Sequence, residues 1–259
     1  PYRFSNIFVR ASIGDATTFI FAPLVFWSLW KLKEKADFKW VALGGLSIAG
    51  LILSHAMVSV LFLSIFGLYF LFSLPIAKNK ISYLRSCALL ILGGFGVSAY
   101  YFIPSIIERS NTKFQELMGQ IFVGNYFATI NDLIYSKWAY GVFHSKEGAM
   151  SIQLGLVQWL VVAILAVTLI IYFIKRNKSK TDKSKTALGI FLLFAFVFSI
   201  FMMLSPSLPL WKSISKYVFI DFPWRMLAVS TFLVSICTGL LISLSGRFRH
   251  VFAVLLIIL

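Results

Sequence analysis

Between Trp40 and Ala77 the chain carries no Lys, Arg, Asp or Glu. As a single helix that run would measure about 55 Å, against a bilayer hydrocarbon core of roughly 30 Å. It must therefore turn back on itself. The strongly polar point near its middle is Ser54-His55. A tight hairpin is expected there, joining a short helix to a longer one.

The rest of the chain follows the same rule. Hydrophobic residues make up 59% of it and charged residues 13%, with a mean hydropathy of +0.88; soluble domains carry about a quarter charged residues. The reading is an all-α, polytopic transmembrane bundle, one transmembrane domain over residues 1–259. Spans are expected near 13–30, 40–54, 56–74, 86–104, 152–174, 187–204 and 226–244, with a truncated one from about 250. The chain opens Pro1-Tyr2-Arg3 without an initiator Met. It closes in an apolar run, Val251 to Leu259, too short to cross, so it reads as a fragment of a longer protein. Cys87 and Cys237 sit in apolar runs and read as small core residues.

Charge assigns the sides. One set of connections holds Lys31, Lys33, Lys35, Lys39, Lys78, Lys80 and Arg85, the six basic residues from Lys175 to Lys185, and Arg247 and Arg249. That is 15 basic residues against three acids (Glu34, Asp37, Asp182). The other set holds 9 basic residues and 6 acids. The positive-inside rule makes the first set, near 31–39, 78–85, 175–186 and 245–249, cytoplasmic in a plasma-membrane protein. The hairpin at Ser54-His55 is what keeps later loops on consistent sides. The net charge of +15 is thus largely a topology signal, and nucleic acid is not an expected partner.

The opposite face carries residues 1–12, the Ser54-His55 turn and segments 105–151 and 205–225. Phe114, Leu117, Met118, Ile121 and Phe122 recur at helical spacing, which suggests a helix lying on the membrane surface. Ser205-Pro-Ser-Leu-Pro209 before Leu210-Trp211-Lys212 suggests a second, opened by prolines.

Several polar residues on this face are candidates, each with a plain alternative. Arg10 and Asp15 flank the first span; they either hold an anionic headgroup and orient a polar substrate, or mark the interface, with Asp15 at a helix N-terminus. His55 is either a donor to a phosphate or sugar, or the cap of its turn. Glu108 lies at the outer end of a span; it is either catalytic or pairs with Arg109 or Arg10. The glycines of Gly93-Gly94-Phe95-Gly96 would allow close helix packing inside that span. In Asp221-Phe-Pro-Trp-Arg225 the acid and the base are four apart and would share a helical face. They either pair with each other, or Trp224 anchors at the headgroup belt while Arg225 binds a phosphate. Asp132, Lys137, His144 and Glu147 have no diagnostic spacing. Three His without HxxH or HExxH spacing give no metal-ligand motif. There is no P-loop, GxGxxG, GxSxG or CxxC. No charge lies deep inside a span, which argues against a pump or coupled transporter.

The ordered set Tyr2…Val9-Arg10-Ala11-Ser12…Asp15, Leu53-Ser54-His55, Ser98-Ala-Tyr-Tyr-Phe-Ile-Pro104-Ser105…Glu108 and Phe222-Pro-Trp-Arg225 resembles a family of bacterial and archaeal polytopic membrane proteins. That family is described as "membrane protein, 6-pyruvoyl-tetrahydropterin synthase-related domain" and is similar to the GT-C class of membrane glycosyltransferases. The composition excludes a soluble pterin enzyme. The resemblance covers nearly the whole chain and implies a GT-C-like bundle that transfers a sugar from a polyprenyl-phosphate donor to an acceptor on the non-cytoplasmic face. By the same likeness Arg10, His55, Trp224 and Arg225 would contact substrate, and Glu108 and Asp221 complete the set of candidate substrate contacts. The catalytic base would be Asp15 or, more in keeping with the class, an acid in an outer loop preceding Pro1. The family's arginine–glycine step falls on Arg10-Ala11 and its glutamate on Asp15, two departures. A divalent metal is the cofactor the class leaves open. The other reading is a non-catalytic protein of lipid binding, flipping or envelope assembly, because a scaffold does not establish an activity; a transporter ranks below both.

Overall fold

The structure is a computed structural model and describes residues 1–113, 126–141, 148–174, 180–215 and 221–245. The expected surface helix around Phe114–Phe122, His144 and Glu147, Arg247 and Arg249, and the truncated span from 250 lie outside the described residues.

Seven helices form the frame: α1 (Ile13–Glu34), α2 (Phe38–Ser54), α3 (Ala56–Ser73), α4 (Lys80–Ile107), α5 (Leu156–Ile174), α6 (Lys180–Met203) and α7 (Met226–Leu244). Among the described residues there is no strand. Among the described residues six helical stretches are long and apolar enough to cross a membrane: Ile13–Glu34, Ala56–Ile76, Lys80–Ile107, Leu156–Ile174, Ser184–Met203 and Pro223–Leu244. Helix α2, with 17 residues, is the short member of the expected hairpin. This is a multi-pass helical membrane protein. Its surface says the same: Leu89, Leu92, Val97, Ile106, Leu160 and Ile170 are exposed, whereas Thr18, Ser28, Ser47, Ser59, Ser98, Ser199 and Ser230 are buried. A lipid solvent rewards that inversion, because polar groups find partners only inside the protein.

The chain reads as one domain but clusters into two compact units. The first comprises Asn6–Asn125 and Leu210–Phe222 and holds α1 to α4. Its hairpin is closed by one residue. His55 adopts an extended backbone (φ −162°, ψ 104°) that ends α2, and its Nδ1 accepts a hydrogen bond from the Val58 N–H to cap α3. Phe19 meets Phe62 and Phe26 meets Tyr69 edge-on or tilted, so α1 and α3 run parallel with α2 returning between their ends. At the far end Lys78 donates its N–H to the Lys33 carbonyl at 3.3 Å and its ammonium lies 3.1 Å from Glu34. Loops 31–39 and 78–80 therefore share one end of this unit, as the turn at His55 requires.

Helices α2 and α4 cross at a glycine contact. A Cβ on Gly94 would fall 2.6 Å from Ile48 and 2.9 Å from the Gly45 carbonyl; a Cβ on Gly93 or Gly96 would meet nothing within 4 Å. Of the three glycines expected to permit close packing, only Gly94 does so.

The second unit comprises Pro1–Ser5, Tyr126–Pro209 and Pro223–Leu259 and holds α5 to α7. Helix α7 packs on both α5 and α6. Between α6 and α7, Ser199 and Ser230 share a buried hydrogen bond of 2.8 Å, a small-residue contact typical of helix packing in lipid. Lys185 Nζ donates to the Ser243 carbonyl at 3.0 Å, so the connections after α5 and after α7 share an end. At the opposite end Thr129 and Asp132 form a capping box on the short helix Ile130–Ile134, and Trp159 Nε1 donates to the Leu133 carbonyl. Asp132 thus has a local structural role. Ser205–Ser207 forms a 3₁₀ turn into the helix Leu208–Ile214, which matches the proline-opened helix expected there.

Candidate functional site

Three of the sequence-selected residues meet at one end of the α1–α4 unit. Asp15 stands in the first turn of α1 and is fully buried (0% exposed). Its Oδ2 accepts from Arg10 Nη1 at 2.7 Å, and its Oδ1 lies 3.1 Å from His55 Nε2. Arg10 Nη1 also donates to Asn6 Oδ1, and Asn6 is itself buried.

Local chain geometry makes this possible. Arg10 and Asp15 do not lie on one helix. Residues Ser5–Val9 form a π-helical turn, and Ala11 then takes φ +50° before α1 starts at Ile13. The reversal turns Arg10 back toward Asp15, across a spacing that a continuous helix would not stack. A positive φ is the backbone state where glycine belongs and alanine is strained. We expect Ala11→Gly to raise stability by about 0.5–1 kcal/mol, the relief of left-handed strain less the added freedom of the unfolded chain. Thermal unfolding in detergent measures it, and a loss of stability would show that Ala11 is not strained.

Gly14 brings His55 within reach. A Cβ there would fall 2.6 Å from the Ser54 carbonyl oxygen and 3.5 Å from the His55 ring, so only glycine lets the start of α1 touch the α2–α3 turn so closely. Sequence reasoning passed over Gly14 and Asn6. The available signals were a glycine beside the acid and an amide four residues before the arginine.

With Nδ1 accepting the Val58 N–H, the imidazole's Nε2 is the nitrogen that donates to Asp15. His55 is therefore both the cap of its turn and a member of the cluster, and the two readings of it hold together. The carboxylate neutralises a guanidinium and orients an imidazole. That arrangement presents fixed donors toward an anion more readily than it presents a free base. It also does not suit a metal. Among the described residues no group of three or more His, Cys, Asp or Glu can hold one, and Arg10 beside the Asp15–His55 pair would oppose a cation.

Glu108 is exposed in the 3₁₀ turn that ends α4. Asp221 precedes the 3₁₀ turn Pro223–Arg225 in non-helical backbone, so the helical face it was expected to share with Arg225 does not form. Its Oδ1 accepts from the Phe222 N–H at 2.9 Å. Trp224 is 3% and Arg225 6% exposed, with the Arg225 guanidinium 6.0 Å from the Trp224 ring centre. Both are enclosed, unlike freely exposed headgroup anchors. Cys87 and Cys237 are free and buried, as small core residues should be.

No family model, curated protein or solved structure matches this chain.

Proposed function

We propose that the chain is the membrane-embedded part of a glycosyltransferase that takes a sugar from a polyprenyl-phosphate donor, with the Arg10–Asp15–His55 cluster as part of its headgroup site. The supporting observation is the convergence of three residues, from two separate motifs of the resembled family, on one buried carboxylate at one end of a helical unit. In this reading the acceptor oxygen bonds to the anomeric carbon while the bond from that carbon to the phosphate oxygen breaks. The phosphate leaves with the electron pair, and Arg10 stabilises its charge electrostatically. Arg225 is the second candidate cation. The acceptor proton goes to a carboxylate. Asp15 serves only by giving up its contact with Arg10 or His55; otherwise it positions those two residues, and another carboxylate takes the proton.

The engagement of both Asp15 oxygens favours a second reading, in which the same cluster is a headgroup-binding latch in a non-catalytic lipid-handling protein. Proteoliposomes of the full-length protein, supplied with radiolabelled polyprenyl-phosphate sugars and acceptor extracts, separate the two. Under the transferase reading Arg225→Ala and His55→Gln each lower transfer by about 100-fold or more while the protein still assembles in the membrane. Wild-type transfer by both variants would sink the phosphate role. Donor binding without any transfer by the wild-type protein selects the latch.

A further inference from the structure

The α5–α7 unit contains a cleft of about 450 Å³, within the range of small-ligand sites. Its polar lining is Tyr135, Gln153, Gln158, Thr231, Ser235 and Thr238. Among the described residues no charged side chain lines it. Thr231, Ser235 and Thr238 lie at i, i+4 and i+7 on α7, one face of the helix, and run about 10 Å down it. The cleft begins at the loop residues Tyr135 and Gln153 and reaches into the span. Hydroxyls on a cleft wall inside a membrane helix are costly unless they meet partners.

The hydrogen bonds already made define the ligand. Ser235 donates to the Thr231 carbonyl at 3.0 Å and Thr238 to the Val234 carbonyl at 2.9 Å. Their protons are spent, and lone pairs are what they offer. The Thr231 hydroxyl oxygen is enclosed with no hydrogen-bond partner among the described residues; threonine has two accessible rotamers in a helix, so it can turn to meet one. The Gln158 amide nitrogen, in its satisfied orientation, donates to the Leu154 and Gly155 carbonyls at 3.2 Å each, which leaves its oxygen as an acceptor. Gln153 Oε1 accepts from the Ser136 N–H, which leaves its nitrogen as a donor. A wall dominated by acceptors, with few donors and no charged side chain, offers an ionised phosphate no side-chain counter-charge. It suits groups that donate and accept together, which are hydroxyls. Leu156, Val157, Val161 and Val234 supply apolar lining, and Pro1 and Gly155 complete the wall.

We propose that this cleft binds an amphiphile with a neutral, hydroxyl-rich head, a sugar-like polyol on a hydrocarbon tail, with the hydroxyls on the α7 stripe and the tail along the valines. The site is chemically unlike the Arg10–Asp15–His55 cluster, and the inference does not depend on the transferase reading.

The test uses the full-length protein in nanodiscs and tritiated octyl β-D-glucoside as the probe. Tetraethylene glycol monooctyl ether, which matches the chain but has a single hydroxyl, and octyl phosphate serve as competitors. Saturable glucoside binding that neither competitor displaces is expected. The shape-preserving triple variant Thr231→Val, Ser235→Ala, Thr238→Val should weaken it by about tenfold or more, and Val157→Trp, which leaves the hydroxyls intact and fills the cleft, should abolish it. Thr168→Val, which removes a back-bonded hydroxyl of α5 outside the cleft, should leave it unchanged. Equal competition by the ether marks a groove for hydrocarbon alone, and preference for octyl phosphate marks an anion site; either overturns the proposal. So does wild-type glucoside binding by Val157→Trp, whatever the folding yield of the triple variant.

Discussion

Asp15→Ala is expected to destabilise the α1–α4 unit by about 3–5 kcal/mol, the range for removing one partner of a buried ion pair. Two features set the size. Asp15 is 0% exposed, so water cannot replace it. Its loss also removes an acceptor from both Arg10 and His55 and leaves a guanidinium in a site with little solvent. Asp15→Asn should cost less, because the amide oxygen still accepts one hydrogen bond. A double-mutant cycle with Arg10→Met isolates the pair: with both charges removed, a large part of the stability should return. The Lys78–Glu34 pair is the internal contrast. Its N–O distance of 3.1 Å is also short, but its side chains are 72% and 43% exposed, and breaking it should cost no more than about 1 kcal/mol. Thermal unfolding of these variants, with Glu34→Ala beside them, in one detergent makes the comparison. Should Asp15→Ala melt no earlier than Glu34→Ala, the cluster is not what holds α1 to the α2–α3 turn.

Gly94→Val is expected to cost about 3 kcal/mol through overpacking at the α2–α4 crossing. The first added carbon already falls 2.6 Å from the Ile48 Cβ and Cγ2 and 2.9 Å from the Gly45 carbonyl oxygen. None of these is the far end of a flexible side chain, so the helices must separate. In lipid that separation removes the packing that drives helix association. Gly93→Ala and Gly96→Ala should do the opposite. Open space surrounds both Cβ positions, so replacing glycine there stabilises the helix by up to about 1 kcal/mol. The same unfolding assay reads all three. Equal losses at positions 93, 94 and 96 would show that the stretch acts through glycine content rather than through one contact.

The comparison of these glycines shows how far the sequence carries. Hydropathy and the length of a bilayer-crossing helix placed the helices. The turn at Ser54-His55 followed from geometry alone, since an uncharged run too long for one span has to reverse, and a polar residue suits the reversal. The short α2 and longer α3 came with it. Burial of Cys87 and Cys237 followed from their apolar neighbours. Spacing gave less at the candidate site. Asp221 and Arg225 were expected to share a helical face because four residues make a helical turn, but the chain around Asp221 is not helical. Arg10 and Asp15, five apart, were not expected to stack on a helix. They meet because the backbone reverses at Ala11, a conformation that no periodicity encodes.

Hydropathy and residue spacing were enough for an all-helical, multi-pass membrane chain and a short set of polar residues worth following. Those properties depend on solvent transfer and on helix length, which are local sums over residues. The tertiary structure decided that Arg10 and His55 share one carboxylate and that Glu108 is exposed. It also decided that Gly14 and Gly94 stand at close backbone approaches, and that Thr231, Ser235 and Thr238 face a cleft. These depend on which atoms of distant segments come within a few ångströms, and side-chain reach and backbone reversal set that, not composition.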